Sequence, residues 1–275
     1  MNAVKRRGAI LTSIVMLALA AVVGLPFYYI VVNTLKTQRE TAIAPLGLPS
    51  SLYLDNYLTV FQTVPILQSF LNTLYVTAIS VVLMLLIGSM AAYGMIMRKS
   101  HFNRWFGIAL LLAFMVPFQT TLIPLYQALA GIHMVDTLNG LIAMYSAGSI
   151  FCYFLIQGYM RTVPYEIIEA ARIDGCSTFG IYWRIVLPLI RPILITVGVF
   201  QTMWVWNDFI TPNVFISSSG KQTLVLQVYT AVSQFSVNWP AFMTLTVIVL
   251  VPVVIFFIAM QKYIVKGLVS GGVKA

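Results

Sequence analysis

Charge is scarce in this sequence: Asp, Glu, Lys and Arg together make up 8% of its 275 residues, against 60% for hydrophobic residues. The mean hydropathy is +0.92. A water-soluble domain of this composition would lack the polar groups needed to cover its own apolar surface. The scarcity of charge therefore excludes a soluble globular protein and indicates an integral membrane protein.

Cysteine and histidine are scarce as well, with two residues of each type. Cys152 falls within an apolar run and Cys176 within a charged segment, so the sequence predicts neither a disulfide nor a metal site. His101 and His133 fall in loops on opposite sides of the predicted spans, and no acid–base cluster forms around either. This disfavours a membrane enzyme, and we expect the chain to have no catalytic residue and to bind no metal.

Six apolar stretches are long enough to cross a bilayer, which takes about 20 helical residues. They lack the alternation of a membrane β-barrel, so helices must satisfy the backbone hydrogen bonds in lipid. The predicted fold is therefore all-α: a polytopic membrane protein with six transmembrane helices, forming one transmembrane domain over residues 1–275. The predicted spans are 8–32, 66–97, 105–129, 138–160, 193–210 and 239–260.

The basic residues predict the orientation of these spans. If the N-terminus is cytoplasmic, thirteen of the sixteen Lys and Arg residues fall in cytoplasmic segments and three fall outside. This positive-inside bias predicts that both termini and the 161–191 loop are cytoplasmic. The basic residues do not cluster into a phosphate-binding stripe, so the net charge of +9 does not indicate nucleic acid as a partner.

The 161–191 loop concentrates charged residues between two apolar runs, and its sequence predicts two short helices. Pro164 suits a first turn, and Asp174-Gly175 ends a helix over 165–173. Ser177 or Thr178 can cap the second helix. That helix carries an apolar stripe at positions i, i+3, i+4 and i+7, before a turn at Pro188, although interfacial helices also carry such stripes. The stripe consists of Phe179, Tyr182, Trp183 and Val186.

The order Glu169-Ala170-Ala171, Asp174-Gly175 and Leu187-Pro188 closely resembles the EAA loop of ABC importer permeases. In that family the loop forms the coupling helix, which occupies a groove of the ATP-binding subunit. The resemblance implies that Glu169, Ala170, Ala171, Asp174 and Gly175 contact the ATPase. Phe179, Tyr182, Trp183, Val186 and Pro188 would anchor the loop to the permease. Cys176 and Tyr182 stand where the family usually has alanine and phenylalanine.

Aromatic and polar residues occur together near the outer end of the fifth predicted span. Indole faces pack on sugar rings while amides and carboxylates bind sugar hydroxyls, so this mixture predicts part of a carbohydrate path. A purely interfacial aromatic belt is the alternative. Gln119 lies between two prolines that either open a polar route or only kink a packed helix. The predicted path residues are Gln119, Trp204, Trp206, Asn207 and Asp208.

No stretch of the sequence forms a nucleotide-binding phosphate loop. Gly220-Lys221 in the external 213–238 loop comes closest, but Phe215 replaces the first glycine of that motif and Gln222 follows the lysine. ATP and Mg²⁺ are therefore expected on separate ATPase chains, and this chain is expected to bind no cofactor.

Trp206-Asn207-Asp208 and the 262–275 tail extend the resemblance to the carbohydrate-uptake, maltose-type permeases, and in particular to their second, six-helix subunit. This implies the type I ABC importer permease fold in a bacterial or archaeal cell (inner) membrane. The implied partners are a second, related permease, two ABC ATPase subunits and an extracytoplasmic solute-binding protein. The 213–238 loop would reach the binding protein, and the cytoplasmic tail would contact the ATPases.

Two other transport functions remain open at this stage. Related loops also serve permeases for other solute classes, so the substrate class rests on the resemblance and the aromatic-polar residues. An ion-coupled secondary transporter would need charged residues at mid-span, where this sequence has almost none.

Overall fold

A computed structural model describes residues 2–97, 100–234 and 238–272, with side chains at 10–97, 100–232 and 238–263, and their regular secondary structure is all helical. The predicted all-α class is confirmed. Short 3₁₀ helices cover Phe118–Thr121 and Ser219–Lys221, and a π-helix covers Tyr182–Val186. The α-helices are α1 (Asn2–Asn33), α2 (Gln38–Ile43), α3 (Asp55–Thr63), α4 (Ile66–Met97), α5 (His101–Met115), α6 (Leu122–Gly131), α7 (Leu138–Ser146), α8 (Ser149–Met160), α9 (Tyr165–Ile173), α10 (Thr178–Ile181), α11 (Leu187–Leu189), α12 (Arg191–Asn207), α13 (Ile210–Phe215), α14 (Leu224–Gln234) and α15 (Trp239–Gly272).

Within the described residues, four helical segments are long and apolar enough to cross a membrane: Ile10–Asn33, Ile66–Met97, Leu138–Met160 and Trp239–Tyr263. Two further pairs are bent, His101–Met115 with Phe118–Gly131 by 90° and Thr178–Leu189 with Arg191–Asn207 by 75°. The predicted count of six holds if each bent pair makes one crossing. The described spans therefore number between four and six.

Proline explains where both bent pairs change direction. Pro117 has no backbone N–H and lies between α5 and the following 3₁₀ helix, in extended conformation at ψ 126°. Pro192 lies in the first turn of α12, where a missing N–H leaves no hydrogen bond unmade. The kink that the sequence predicts near Pro117 is thus a complete break between helices.

One compact unit of the chain comprises residues 1–66 and 227–252. Buried polar side chains hold together the segment that links α1 to α3. The fully buried Lys36 donates from Nζ to Ala44 O at 2.8 Å, and Asn56 Nδ2 donates to Thr34 O and Lys36 O, both at 2.9 Å. These bonds satisfy carbonyls at the ends of α1 and α2, which would otherwise lack partners.

The second unit comprises residues 67–226 and 253–275 and contains both candidate sites. Its core includes side chains from α4, α7, α8 and the 161–191 loop. Gly88 of α4 lies directly against α8, where an added Cβ would be 2.6 Å from Cys152 Cβ and 2.9 Å from Tyr153 N. Such small residues let membrane helices approach closely. This packing holds α4 against α8, the helix that leads into the 161–191 loop.

Candidate coupling loop and transport path

The turn after α9 has the geometry that its sequence predicts. Gly175 adopts φ +80°, a left-handed conformation that favours glycine. The N–H of Asp174 donates to Ala170 O at 2.9 Å, and the N–H of Cys176 donates to Ala171 O at 3.0 Å. Ser177 Oγ accepts from Gly180 N at 3.1 Å, so Ser177 caps α10. These contacts fix the angle between the two helices of the loop.

Most of the predicted ATPase-contacting residues lie at the surface. Glu169, Ala170, Asp174 and Gly175 are exposed, whereas Ala171 is 5% exposed and faces the core together with Ile168. The surface of α9 and the residue after it therefore present three carboxylates, those of Glu166, Glu169 and Asp174, and the short side chain of Ala170. Ala171 allows α9 to pack closely against its own chain. Contact with an ATPase stays a prediction for all five residues.

The predicted anchor residues separate into buried and exposed groups. Tyr182 and Val186 are both 2% exposed, but Phe179 is 64% and Trp183 48% exposed, and Pro188 is also exposed. Within this chain, Phe179 and Trp183 do not form the packed stripe that a 3.6-residue repeat predicts. Because Tyr182–Val186 is a π-helix with a wider turn, its inward face follows a longer spacing. The anchoring role of the exposed residues stays a prediction.

Two tyrosine hydroxyls connect the loop to α4. Tyr182 Oη lies 2.7 Å from Ser89 Oγ, and Tyr93 Oη donates to Thr178 O at 3.0 Å. The two tyrosine ring centroids are 5.6 Å apart. Sequence reasoning missed these contacts, although Tyr182 in the family's usual phenylalanine position was a signal that an additional hydroxyl needed a partner.

On the opposite side of this unit, Asp208 is held by several donors. Its Oδ2 accepts from Tyr145 Oη at 2.9 Å, and its Oδ1 accepts from the N–H groups of Ile210 at 2.9 Å and Thr211 at 3.5 Å. The last two belong to the first turn of α13. Asp208 thus connects α7 to α13, and this structural role accounts for much of its hydrogen-bonding capacity.

The other predicted path residues are only partly brought together. Trp204 is 45% exposed and contacts the Tyr145 ring edge-on at 5.6 Å, so it shares a neighbour with Asp208. Trp206 instead packs against Phe70 at 5.9 Å, and Asn207 Nδ2 donates to Met203 O of its own helix at 2.7 Å. Gln119 is exposed at the break after α5. Trp204 and Asp208 are therefore the two predicted path residues that lie close together, because both contact Tyr145.

A cavity of about 740 Å³ lies between the α5–α6 bend, the α7–α8 junction and α12. Trp204 is the one predicted path residue that lines this cavity. Gln201 also lines it, although it is not in the predicted set. Gln201 is 4% exposed and donates from Nε2 to Gly148 O at 3.2 Å. An uncharged amide in an apolar helix was the available signal. The walls are otherwise mainly apolar, with Pro117 and Thr121 at the bend.

Asp136 organises the segment that precedes α14. Its Oδ1 accepts from the N–H groups of Ser217 and Ser218, both at 2.9 Å, its Oδ2 accepts from Ser218 Oγ, and Lys221 Nζ lies 3.1 Å from Oδ2. Hydrogen bonds from the Ser218 side chain and backbone, from Ser217 N–H and from Lys221 hold the pKa of this carboxyl well below its usual range. In the sequence, Asp136 is distinguished only by its place between the predicted spans 105–129 and 138–160.

Comparison with known proteins adds independent findings. The family described as binding-protein-dependent transport system inner membrane component matches residues 6–270. The chain is 38% identical over 250 residues to a probable starch degradation products transport system permease protein, AmyC, of Thermoanaerobacterium thermosulfurigenes, covering 90% of this chain and 91% of the relative. It is 33% identical to the arabinooligosaccharides transport system permease protein AraQ of Halalkalibacterium halodurans, covering 82% and 81%.

A solved structure shares the fold. It is the crystal structure of a bacterial ABC transporter involved in the import of the acidic polysaccharide alginate, and it matches with a TM-score of 0.82. The match covers 96% of this chain and 98% of that chain at 20% identity.

Proposed function

Because the chain belongs to the family of binding-protein-dependent transport system inner membrane components, we propose that it forms half of the translocation path of an ATP-driven sugar or oligosaccharide importer. The chain is a multi-pass membrane permease, a transport subunit and not an enzyme. The observation that carries the substrate class is 38% identity to the starch-product permease over 90% of this chain. Trp204 and Asp208 both contact Tyr145, and together they offer an aromatic face and a carboxylate that are suited to bind a sugar.

The exposed surface of α9 supports coupling through the 161–191 loop. Ala170 is small enough for a second protein to approach closely, and the Glu169 carboxylate can pair with a cation across the contact. Gly175 fixes the direction in which the chain leaves α9. In this mechanism, ATP binding closes the ATPase dimer, which moves α9 as a rigid body and turns the spans from inward-facing to outward-facing. ATP hydrolysis returns them.

The proposed complex contains a second, related permease, two ABC ATPase subunits and an extracytoplasmic solute-binding protein. ATP and Mg²⁺ belong to the ATPases, since the sequence has no phosphate loop. The excess of Lys and Arg in alternate segments supports cytoplasmic termini in a bacterial or archaeal inner membrane.

Two further segments are proposed to contact partners. The 213–238 loop would meet the binding protein, and its fixation by Asp136 supports a preformed contact surface. The 262–275 tail would meet the ATPases. Residues 235–237 of the loop and 273–275 of the tail lie outside the described residues.

Uptake by membrane vesicles containing the complete transporter tests the substrate class. With the binding protein and ATP present, we expect uptake of at least one of labelled maltotriose, arabinotriose or raffinose. Uptake should stop without ATP and survive a protonophore. Uptake of an amino acid or an inorganic ion in place of any sugar would overturn the sugar assignment, and uptake driven by a proton gradient without ATP would overturn the ATP-driven mechanism.

Charge reversal at Glu169 tests the coupling role. Glu169→Lys should lower ATP-driven uptake about tenfold or more, because an unfavourable charge at a contact costs several kcal/mol. Membrane insertion and association with the second permease should persist. Asp55→Lys, the same reversal at an exposed acid of α3, is the control and should leave uptake unchanged. Near-normal uptake by inserted Glu169→Lys would contradict coupling through this residue.

A further inference from the structure

A separate cavity of about 650 Å³ lies between the last turns of α4 and the 161–191 loop. It is distinct from the cavity beside Trp204. Methionine, glycine and aromatic residues form most of its walls, and one cation, Arg172, lies beside them. Its lining includes Met90, Tyr93, Gly94 and Met97 of α4, with Arg172 and Phe179 of the loop.

The Arg172 guanidinium has no acidic partner among the described side chains. Its NH1 lies 3.4 Å from Tyr165 Oη and its NH2 lies 3.8 Å from Met97 Sδ. The ion pair found in the described part of the chain joins Lys221 to Asp136, in the outer loop. Arg172 therefore offers an exposed positive charge with unused donors, and a guanidinium favours phosphate because it can donate two parallel hydrogen bonds.

The walls beside Arg172 leave room for a flexible apolar chain. An added Cβ at Gly94 would meet no atom within 4 Å, and Met90 and Phe179 are 40% and 64% exposed. Methionine side chains adapt to irregular apolar ligands because they are unbranched and flexible. A ligand that fits this cavity has an anionic head and an aliphatic tail.

The position of the cavity along α4 identifies the source of such a ligand. Met97 is the last residue of the candidate span Ile66–Met97, and Arg98 and Lys99 follow directly in the sequence. The end of an apolar span followed by basic residues lies at the level of lipid headgroups. We propose that this cavity binds an anionic phospholipid, with its phosphate on Arg172 and an acyl chain along Met90, Gly94 and Phe179.

Native mass spectrometry of the detergent-solubilised transporter complex tests this proposal without relying on uptake. The complex is titrated with dioleoyl phosphatidylglycerol and, separately, with dioleoyl phosphatidylcholine. We expect tighter binding of the anionic lipid. Arg172→Gln should weaken phosphatidylglycerol binding about tenfold, as expected for the loss of one charge-assisted contact. Gly94→Leu should cause a similar loss by filling the cavity.

Matched variants separate the site from general effects. Arg184→Gln removes another exposed cation of the same loop, and Gly158→Leu adds the same side chain at an open position on α8; both should bind like the unaltered complex. Inorganic phosphate at millimolar concentration should not displace the lipid. The proposal is overturned by equal binding of the two lipids, by equal loss in Arg172→Gln and Arg184→Gln, by unchanged binding in Gly94→Leu, or by displacement with phosphate.

Discussion

The carboxylate of Asp208 connects α7 to α13 through hydrogen bonds, and Asp208 is also a predicted residue of the sugar path. As a carboxylate beside Trp204 it is suited to bind sugar hydroxyls, yet it also accepts hydrogen bonds from Tyr145 Oη and from the start of α13. Tyr145 is 2% exposed, so its hydroxyl would be left buried without this acceptor. Loss of a buried donor's partner costs about 1–3 kcal/mol. The same substitution can therefore affect both stability and transport.

Substitutions at Asp208 and Trp204 should consequently behave differently. Asp208→Ala should lower both the unfolding temperature and sugar uptake, whereas Trp204→Ala should lower uptake with a smaller change in stability because this side chain is 45% exposed. Leu48→Ala is the control, since this side chain is 79% exposed and lies outside the predicted path. Unfolding temperature and uptake of each purified, reconstituted variant check these outcomes. Equal loss of stability in Asp208→Ala and Trp204→Ala would contradict the distinction.

Asp136 makes a residue-level prediction about pH. Its pKa is lowered in the folded chain, so ionisation stabilises the fold above the unfolded pKa of about 4, and this contribution is lost as pH falls below that value. At pH 7, Asp136→Asn should lower the unfolding temperature by about 2–4 °C, corresponding to about 1 kcal/mol. The difference from the unaltered chain should shrink towards pH 3. A difference that grows on acidification would contradict the assignment.

At the scale of elements, the contact between Ser89 of α4 and Tyr182 of the π-helix predicts that removing either hydroxyl lowers the free energy of unfolding by a different amount. Ser89 Oγ also donates to Leu85 O at 2.6 Å, so it keeps a partner when Tyr182 loses its hydroxyl. Tyr182→Phe should therefore cost about 0.5–1.5 kcal/mol of unfolding free energy. Ser89→Ala leaves the Tyr182 hydroxyl buried without that partner and should cost about 1–3 kcal/mol.

The double variant distinguishes direct contact from independent packing. Ser89→Ala with Tyr182→Phe should cost less than the sum of the single substitutions, because both remove the same contact. Unfolding free energies measured by denaturant titration check this. If the contact transmits movement of the loop to α4, Ser89→Ala should also raise the amount of ATP consumed per sugar transported. Strict additivity of the two stability losses would show that the hydroxyls do not interact.

Several elements could be predicted from the sequence because local physics determines them. The helix α9 covers Tyr165–Ile173 as expected, since Pro164 and Gly175 define its ends. The spans 66–97 and 138–160 follow from apolar length alone. The sequence could not predict the π-helix, which depends on a turn of unusual width, or the hydrogen-bond partners of Asp136 and Gln201, which lie 49 or more residues away.

At the scale of the whole molecule, apolar length predicts a polytopic chain but not the number of crossings. A bend of 90° at Pro117 divides the predicted span 105–129 into a pair of helices, whereas the bend of 75° before Pro192 separates α12 from the segment Thr178–Leu189, which the sequence predicts as part of the 161–191 loop. Whether each pair crosses once depends on depth in the bilayer, which composition does not determine. The orientation of the chain is a separate question, because it rests on loop charges.

The two native cysteines can test that orientation directly. Cys176 is exposed in the 161–191 loop, whereas Cys152 is fully buried in α8, so a maleimide should react with Cys176 alone. If the loop is cytoplasmic, a membrane-impermeant maleimide should label Cys176 in inverted vesicles stripped of peripheral subunits but not in intact spheroplasts. Adding the ATPase back should protect Cys176 if the loop lies in its groove.

The control is Ser219→Cys in a Cys176→Ser background, which places a thiol at an exposed position of the 213–238 loop and should be labelled in spheroplasts. Labelling of Cys176 from outside would reverse the topology and, with it, the side on which ATP must act.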